Sequence, residues 1–230
     1  MSLRNLIKIM MVLHTTYFGP VQWYQQLYRS ECVYIDGNER WQKQTIRNRC
    51  YIAGVNGIQA LTVPIIHHPS PVSPPQGGVG GGFLTRNIRI SNHGKWRREH
   101  WNALQSAYGE SAFFDYYADD IRPFFTEEWE YLFDFNMAII HKMCELLEIK
   151  APSNLPPEGE ASITHHPSPN THHPTPITQH PTPITSSSPQ QGRLGGVSYY
   201  QVYQQKHGFL PNLSILDLLF NMGNEAILYL

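Results

Sequence analysis

Apolar residues run from Leu6 to Leu13 with only Lys8 between them, which predicts a buried first strand. Pro20 then opens a helix on which Val21, Tyr24, Leu27 and Tyr28 fall three and four residues apart, on one face. Cys32–Ile35 reads as a short strand, Ile46, Tyr51 and Ile52 sit near another, and Ala60–Ile65 is a third. Asn87–Ile90 alternates polar and apolar, as a half-buried strand does. Later segments turn helical. Trp96–Tyr108 carries Trp101, Leu104 and Tyr108 at helical spacing before Gly109, a stop signal. Thr126 is positioned to cap a long helix through Ile149, with Glu127 and Glu128 in its first turn and a core stripe from Leu132 to Leu147. A last helix spans about Leu213 to Asn221, stopped at Gly223. Strands followed by helices predict one domain over residues 1–230 of mixed α/β or α+β class.

Two stretches break this pattern. Between Thr164 and Gln191 a seven-residue unit repeats, beginning Thr164-His-His-Pro-Ser-Pro-Asn170. The prolines remove backbone donors and force extended geometry, so this is no coiled-coil heptad but a predicted polyproline-like or disordered loop. A related tract runs from His67-His-Pro-Ser-Pro71 to the glycines ending at Gly82. Residues 67–82 and 164–196 therefore read as two low-complexity insertions, which surface loops tolerate because closure entropy grows slowly with length. Their histidine pairs lack the fixed geometry that a structural metal site needs, and no metal site is expected. The Gly77–Gly82 run has neither a following Lys-Ser/Thr nor a GxGxxG pattern, which excludes a phosphate loop.

The 18 prolines and a hydrophobic fraction of 41% are explained by these tracts. With 17 basic against 18 acidic residues the chain is nearly neutral, which argues against a stable nucleic-acid complex. Three cysteines without CxxC spacing suit a reducing compartment. The N-terminal apolar run is too short to span a membrane and no small-residue cleavage site follows it, so a cytoplasmic protein is expected.

Three constellations carry possible chemistry. In His14-Thr-Thr-Tyr17-Phe-Gly-Pro-Val-Gln22 a histidine leaves a strand ahead of a helix start, a usual place for ligand contact in α/β folds. His14 reads either as a general base or as a hydrogen-bonded structural residue, with Tyr17 and Gln22 as substrate contacts. Trp41-Gln-Lys43-Gln-Thr-Ile-Arg47-Asn48-Arg49 concentrates cations among amides, suited to phosphate or carboxylate. An extended chain would put Lys43, Thr45, Arg47 and Arg49 on one face, as an anion site or a solvated strand face. Lys95-Trp96-Arg97-Arg98-Glu99-His100-Trp101 places Trp96 and His100 four apart on a helix. These tryptophans read as stacking surfaces for a ring or as core anchors. Cys50 adjoins the basic segment, where a Cys50–His100 or Cys50–His14 nucleophile pair is conceivable. Asp115, Asp119, Asp120, Glu127 and Glu128 read as acidic helix surface.

These blocks, with Leu61-Thr-Val-Pro64 and Asn212-Leu-Ser-Ile-Leu-Asp-Leu-Leu-Phe220, resemble successive blocks of the WbqC-like family, in family order, most closely the branch found in Bacteroidetes. Other branches open with His-Gln-Pro before a Leu-Pro-Trp turn. Here His14 and Pro20 keep the spacing, while Thr15, Thr16 and Val21 replace Gln, Pro and Trp. The resemblance implies an α/β protein associated with O-antigen clusters and a sugar-modifying role, with glycine transfer proposed for some members. It names no cofactor. A transferase acting on a nucleotide-linked or lipid-linked sugar is the expected function, with a non-catalytic sugar-nucleotide-binding or RNA-contacting protein as alternatives. His14 or His100 would be the base, and Lys43, Arg47, Asn48, Arg49, Lys95 and Trp96 would hold the substrate.

Overall fold

A computed structural model describes residues 10–66, 83–153 and 198–230. The first nine residues and the whole of both low-complexity tracts lie outside the described residues. The chain opens with a βαβ unit: β1 (Met10–Leu13), α1 (Val21–Arg29) and β2 (Cys32–Ile35), the two strands pairing in parallel from Met10–Cys32 to Leu13–Ile35. The sequence builds the crossover directly. Pro20 has φ −67 and ψ 154 at the N-cap, a geometry that its ring favours, and Val21, Tyr24 and Leu27 bury the inner face. Ser153, far along the chain, forms a parallel bridge with Tyr34 on β2.

A second sheet is the hairpin β3 (Arg49–Gly54) and β4 (Gly57–Thr62), closed by Val55-Asn56, with Gly57 at φ +107. After the short 3₁₀ turn Thr85–Asn87 come α2 (Trp96–Tyr108), α3 (Phe114–Ile121), α4 (Pro123–Thr126), α5 (Leu132–Leu146), α6 (Gln204–His207) and α7 (Ile215–Met222), then a 3₁₀ turn over Gly223–Tyr229. The class is mixed α/β. No helix of the described residues is long and apolar enough to cross a membrane.

Three sequence readings change. The long helix expected from Thr126 is two: α4 ends at Thr126, the Glu127 backbone is extended at ψ 150, and α5 begins only after Tyr131. Glu127 and Glu128 therefore lie in the connector, which bridges to the chain at Ile88–Ile90 through Leu132 N–H to Ile88 O and Ile90 N–H to Glu130 O. Asn87–Ile90 gives isolated bridges, Ile65–Ile90 and Arg89–Tyr131, rather than a ladder. Residues 43–48 form turns with Gln44 at φ +56, so Lys43, Thr45, Arg47 and Arg49 do not share a strand face.

The core joins the sheets to α5 and α7; Tyr17, Phe18, Tyr108, Phe135 and Phe220 are fully buried within it. Two sequence blocks nearly two hundred residues apart meet here. Val21 N–H donates to Leu213 O, Ile215 N–H to Gly19 O, and the Ser214 hydroxyl, which also accepts from Leu216 N–H at the start of α7, donates to Phe18 O at 2.7 Å. This clamp holds Phe18 at φ +41, a region that a bulky side chain rarely enters. Gly19 is required beside it, because a Cβ there would collide with the Thr16 side chain. Gly19→Ala is expected to lower stability by about 1–3 kcal/mol, the usual range for overpacking. An unchanged urea midpoint would show that Thr16 yields freely.

Candidate functional site

The loop that leaves β1 and the turns before β3 are laced together: Tyr17 N–H and the Thr16 hydroxyl both donate to Ile46 O, at 2.9 and 3.1 Å. At this junction lies Glu39. The Arg47 guanidinium grips its carboxylate as a fork, Nε to Oε1 at 2.8 Å and Nη2 to Oε2, while Arg47 Nη1 reaches Thr45 Oγ1 at 3.2 Å. His14 Nδ1 meets the same Oε2. The side chains of Arg47 and Glu39 are 4% and 9% exposed, whereas His14 is 58% exposed, so the imidazole is the solvent end of an otherwise buried polar chain. Asn136 of α5 donates to Arg47 O at 2.7 Å, and Asn48 to Val63 O at 3.1 Å, fixing the backbone on both sides of this junction. An ionised carboxylate taken from water needs such a partner set.

A second cluster is buried. Tyr17 OH and His100 Nδ1 lie 2.9 Å apart, and the His100 ring packs edge-on against Trp96 and Phe125. Burial lowers the His100 pKa to about 4, against a backbone hydrogen bond with Thr62 that raises it. Burial also pushes the Tyr17 phenol well up, with Cys50 nearby adding to the rise. Trp96 Nε1 donates to Ser91 O at 3.0 Å, and Arg97 lies over its ring at 4.5 Å. Burial raises the Cys50 thiol far above its ordinary value, which disfavours the thiolate that a nucleophile pair would need.

A short antiparallel ribbon joins the first cluster to the surface. Trp41 N–H donates to Phe83 O at 2.8 Å, Thr85 N–H to Glu39 O at 2.9 Å, and Arg40 bridges Leu84. Side chains alternate across such a ribbon, so Glu39, Trp41, Phe83 and Thr85 share one face. At the Trp41 end a cleft of about 200 Å³ is lined by Trp41, Lys43, Ile65, Phe83, Asn87 and Ile88, among others.

A family model described as "WbqC-like protein family" matches residues 15–165 and 193–229. The chain belongs to the WbqC-like family. It is also similar to the uncharacterized protein Rv1507c of Mycobacterium tuberculosis, 28% identical over 205 residues that cover 83% of this chain and 84% of that protein. No solved structure matches.

Within this WbqC-like protein the residues singled out by sequence fall into separate places. His14 and Arg47 meet on Glu39, and Asn48 braces the same turn through the backbone. Tyr17, Trp96 and His100 come together in the buried aromatic cluster. Lys43 is exposed and lines the cleft. Arg49 is on the hairpin with its Nε on Thr62 Oγ1 at 2.8 Å, Lys95 is exposed at the start of α2, and Gln22 is half-buried in the first turn of α1. Sequence reasoning missed Glu39, which sits unremarkably in Gly37-Asn38-Glu39-Arg40. The available signal was Arg47 itself. An arginine flanked by Ile46 and Asn48 in a buried turn requires a carboxylate from elsewhere.

Proposed function

We propose that this WbqC-like protein is a transferase that modifies a nucleotide-linked or lipid-linked sugar in surface-polysaccharide (O-antigen) biosynthesis, moving an acyl group such as glycyl onto a sugar hydroxyl in the cytoplasm. The observation that carries this reading is the His14–Glu39–Arg47 chain: an exposed imidazole oriented through Nδ1 by a carboxylate that is itself locked by a buried arginine. With Nδ1 engaged, Nε2 is the nitrogen that takes the proton from the acceptor hydroxyl as its oxygen attacks the acyl carbonyl. Glu39 then balances the imidazolium, and Nε2 returns the proton to the leaving group as the tetrahedral intermediate collapses. Arg47 has all three guanidinium nitrogens occupied within the protein and acts as a positioning residue. In this reading the exposed Lys43 meets an anionic donor or acceptor, while the buried His100 belongs to the core. Free Cys32, Cys50 and Cys144 suit a reducing compartment.

His14→Asn tests this. Turnover with activated acyl donors and sugar acceptors is expected to fall about a hundredfold or more, the usual contribution of a positioned base, with substrate binding retained. Full turnover by the variant would reject the assignment. Binding by the intact chain without turnover of any donor would leave a sugar-recognition protein in place of an enzyme.

A further inference from the structure

The ribbon that carries Glu39 also carries the cleft. Its shared face begins at Glu39 and Thr85, where Thr85 is fully buried, and ends at Trp41 and Phe83, half-buried and 48% exposed. Glu39 and Trp41 are two positions apart along an extended chain, a rise of roughly 7 Å. Ile65 and Ile88 add apolar lining to the cleft, and Lys43 and Asn87 supply a cation and an amide. Lys43 is not loose from the centre. Its turn is closed by the Thr45 hydroxyl on Gln42 O at 3.1 Å, and the same Thr45 oxygen accepts from Arg47 Nη1.

We propose that this cleft is a nucleotide subsite: a heteroaromatic base stacks at Trp41 and Phe83, and its attached phosphates meet Lys43, so that the sugar beyond them extends toward His14. This rests on the transferase reading and narrows its substrate from nucleotide- or lipid-linked to nucleotide-linked. Size and chemistry select this occupant. A space of about 200 Å³ matches one ring system. Paired aromatics with a neighbouring ammonium are the general means of holding a base and its phosphate. Lys43 and Phe83 are both exposed, so changing either leaves the core untouched.

Calorimetric titration of the full chain with UDP, GDP, inorganic pyrophosphate and farnesyl phosphate tests the assignment. A nucleoside diphosphate is expected to bind, pyrophosphate and farnesyl phosphate far more weakly. Phe83→Ala is expected to weaken nucleotide binding about tenfold, in line with the loss of one stacking partner. Lys43→Ala should also weaken it, and should flatten its dependence on salt. The proposal is overturned if neither nucleotide binds, if pyrophosphate or farnesyl phosphate binds as tightly, or if both variants bind like the parent. Failure of the transferase reading looks different: nucleotides bind through Phe83 and Lys43, yet no acyl donor turns over. Conversely, turnover on lipid-linked acceptors, with no nucleotide binding, removes the subsite and keeps the enzyme.

Discussion

Glu39→Ala is expected to lower stability by about 3–5 kcal/mol, the cost of stripping one partner from a buried ion pair. The carboxylate is shared between the Arg47 guanidinium and His14 Nδ1, and Arg47 at 4% exposure has nowhere to find water in its place. Its Nη1 would keep only Thr45 Oγ1, and its backbone carbonyl would still bind Asn136, so the guanidinium would be held in position without its counter-charge. Glu39→Gln retains shape and one acceptor but no charge, and should fall between parent and alanine. Replacing both Glu39 and Arg47 with methionine should recover much of the loss, because an apolar pair of similar volume needs no desolvated charge. Urea unfolding of the three variants checks this ordering. Glu39→Gln should also reduce turnover nearly as much as His14→Asn, since the imidazole loses the group that orients it. A Glu39→Ala protein with the parent midpoint would show that Arg47 escapes to solvent, and the chain of contacts would lose its claim to be a preorganised site.

What the sequence made legible depended on distance along the chain. Helices α1, α2 and α7 follow from local periodicity and their stops: Pro20 before α1, Gly109 at the end of α2, Gly223 after α7. The break between α4 and α5 was hidden because the apolar residues from Phe124 to Leu147 keep nearly helical spacing. Tertiary bridges from Ile88 and Ile90 pull residues 127–131 into extended geometry. The basic block misled in a similar way. Alternating cations suggest a strand face, yet the Thr45–Gln42 closure and Gln44 at φ +56 make it a turn that buries Arg47 and leaves Lys43 outside. Family resemblance singled out the blocks that carry His14 and Arg47, but not Glu39, because a partner eight residues away in a loop has no periodic signature. The joining of the Tyr17–Gln22 and Asn212–Phe220 blocks is pure tertiary structure, readable only from the clamp at Ser214.

Two buried titratable groups outside the exposed site should give the protein opposing pH dependences. His100 is lowered from 6.5 to about 4 by burial. Between those values the unfolded chain binds a proton that the folded chain refuses, so stability rises with pH and is lost as pH falls toward 4. Asp217 is raised from 3.8 to about 6, chiefly by burial, against hydrogen bonds from Tyr199 and Tyr108 at 2.7 and 2.8 Å. Here the folded chain keeps a proton that the unfolded chain has released, so stability is full below about 4 and declines as pH climbs through 6. About 1.4 kcal/mol accrues for each pH unit between the ordinary and folded values, so each group contributes roughly 3 kcal/mol. The contributions nearly cancel from pH 4 to 6. Asp217→Asn should therefore expose the His100 slope, with stability climbing relative to the parent across that window. His100→Gln should expose the reverse, a protein that weakens relative to the parent as pH rises. Chemical denaturation at half-unit steps from pH 4 to 7 reads both differences directly. Variant curves that simply run parallel to the parent would mean that neither group changes its protonation on folding. Tyr108 also accepts from Ala53 N–H, and Gln201 ties Tyr199 to Leu210, so loss of Asp217 should further loosen residues 199–210 against β3. Faster amide exchange at Leu210, whose N–H donates to Gln201 Oε1 at 2.8 Å, would separate that local release from the proton linkage.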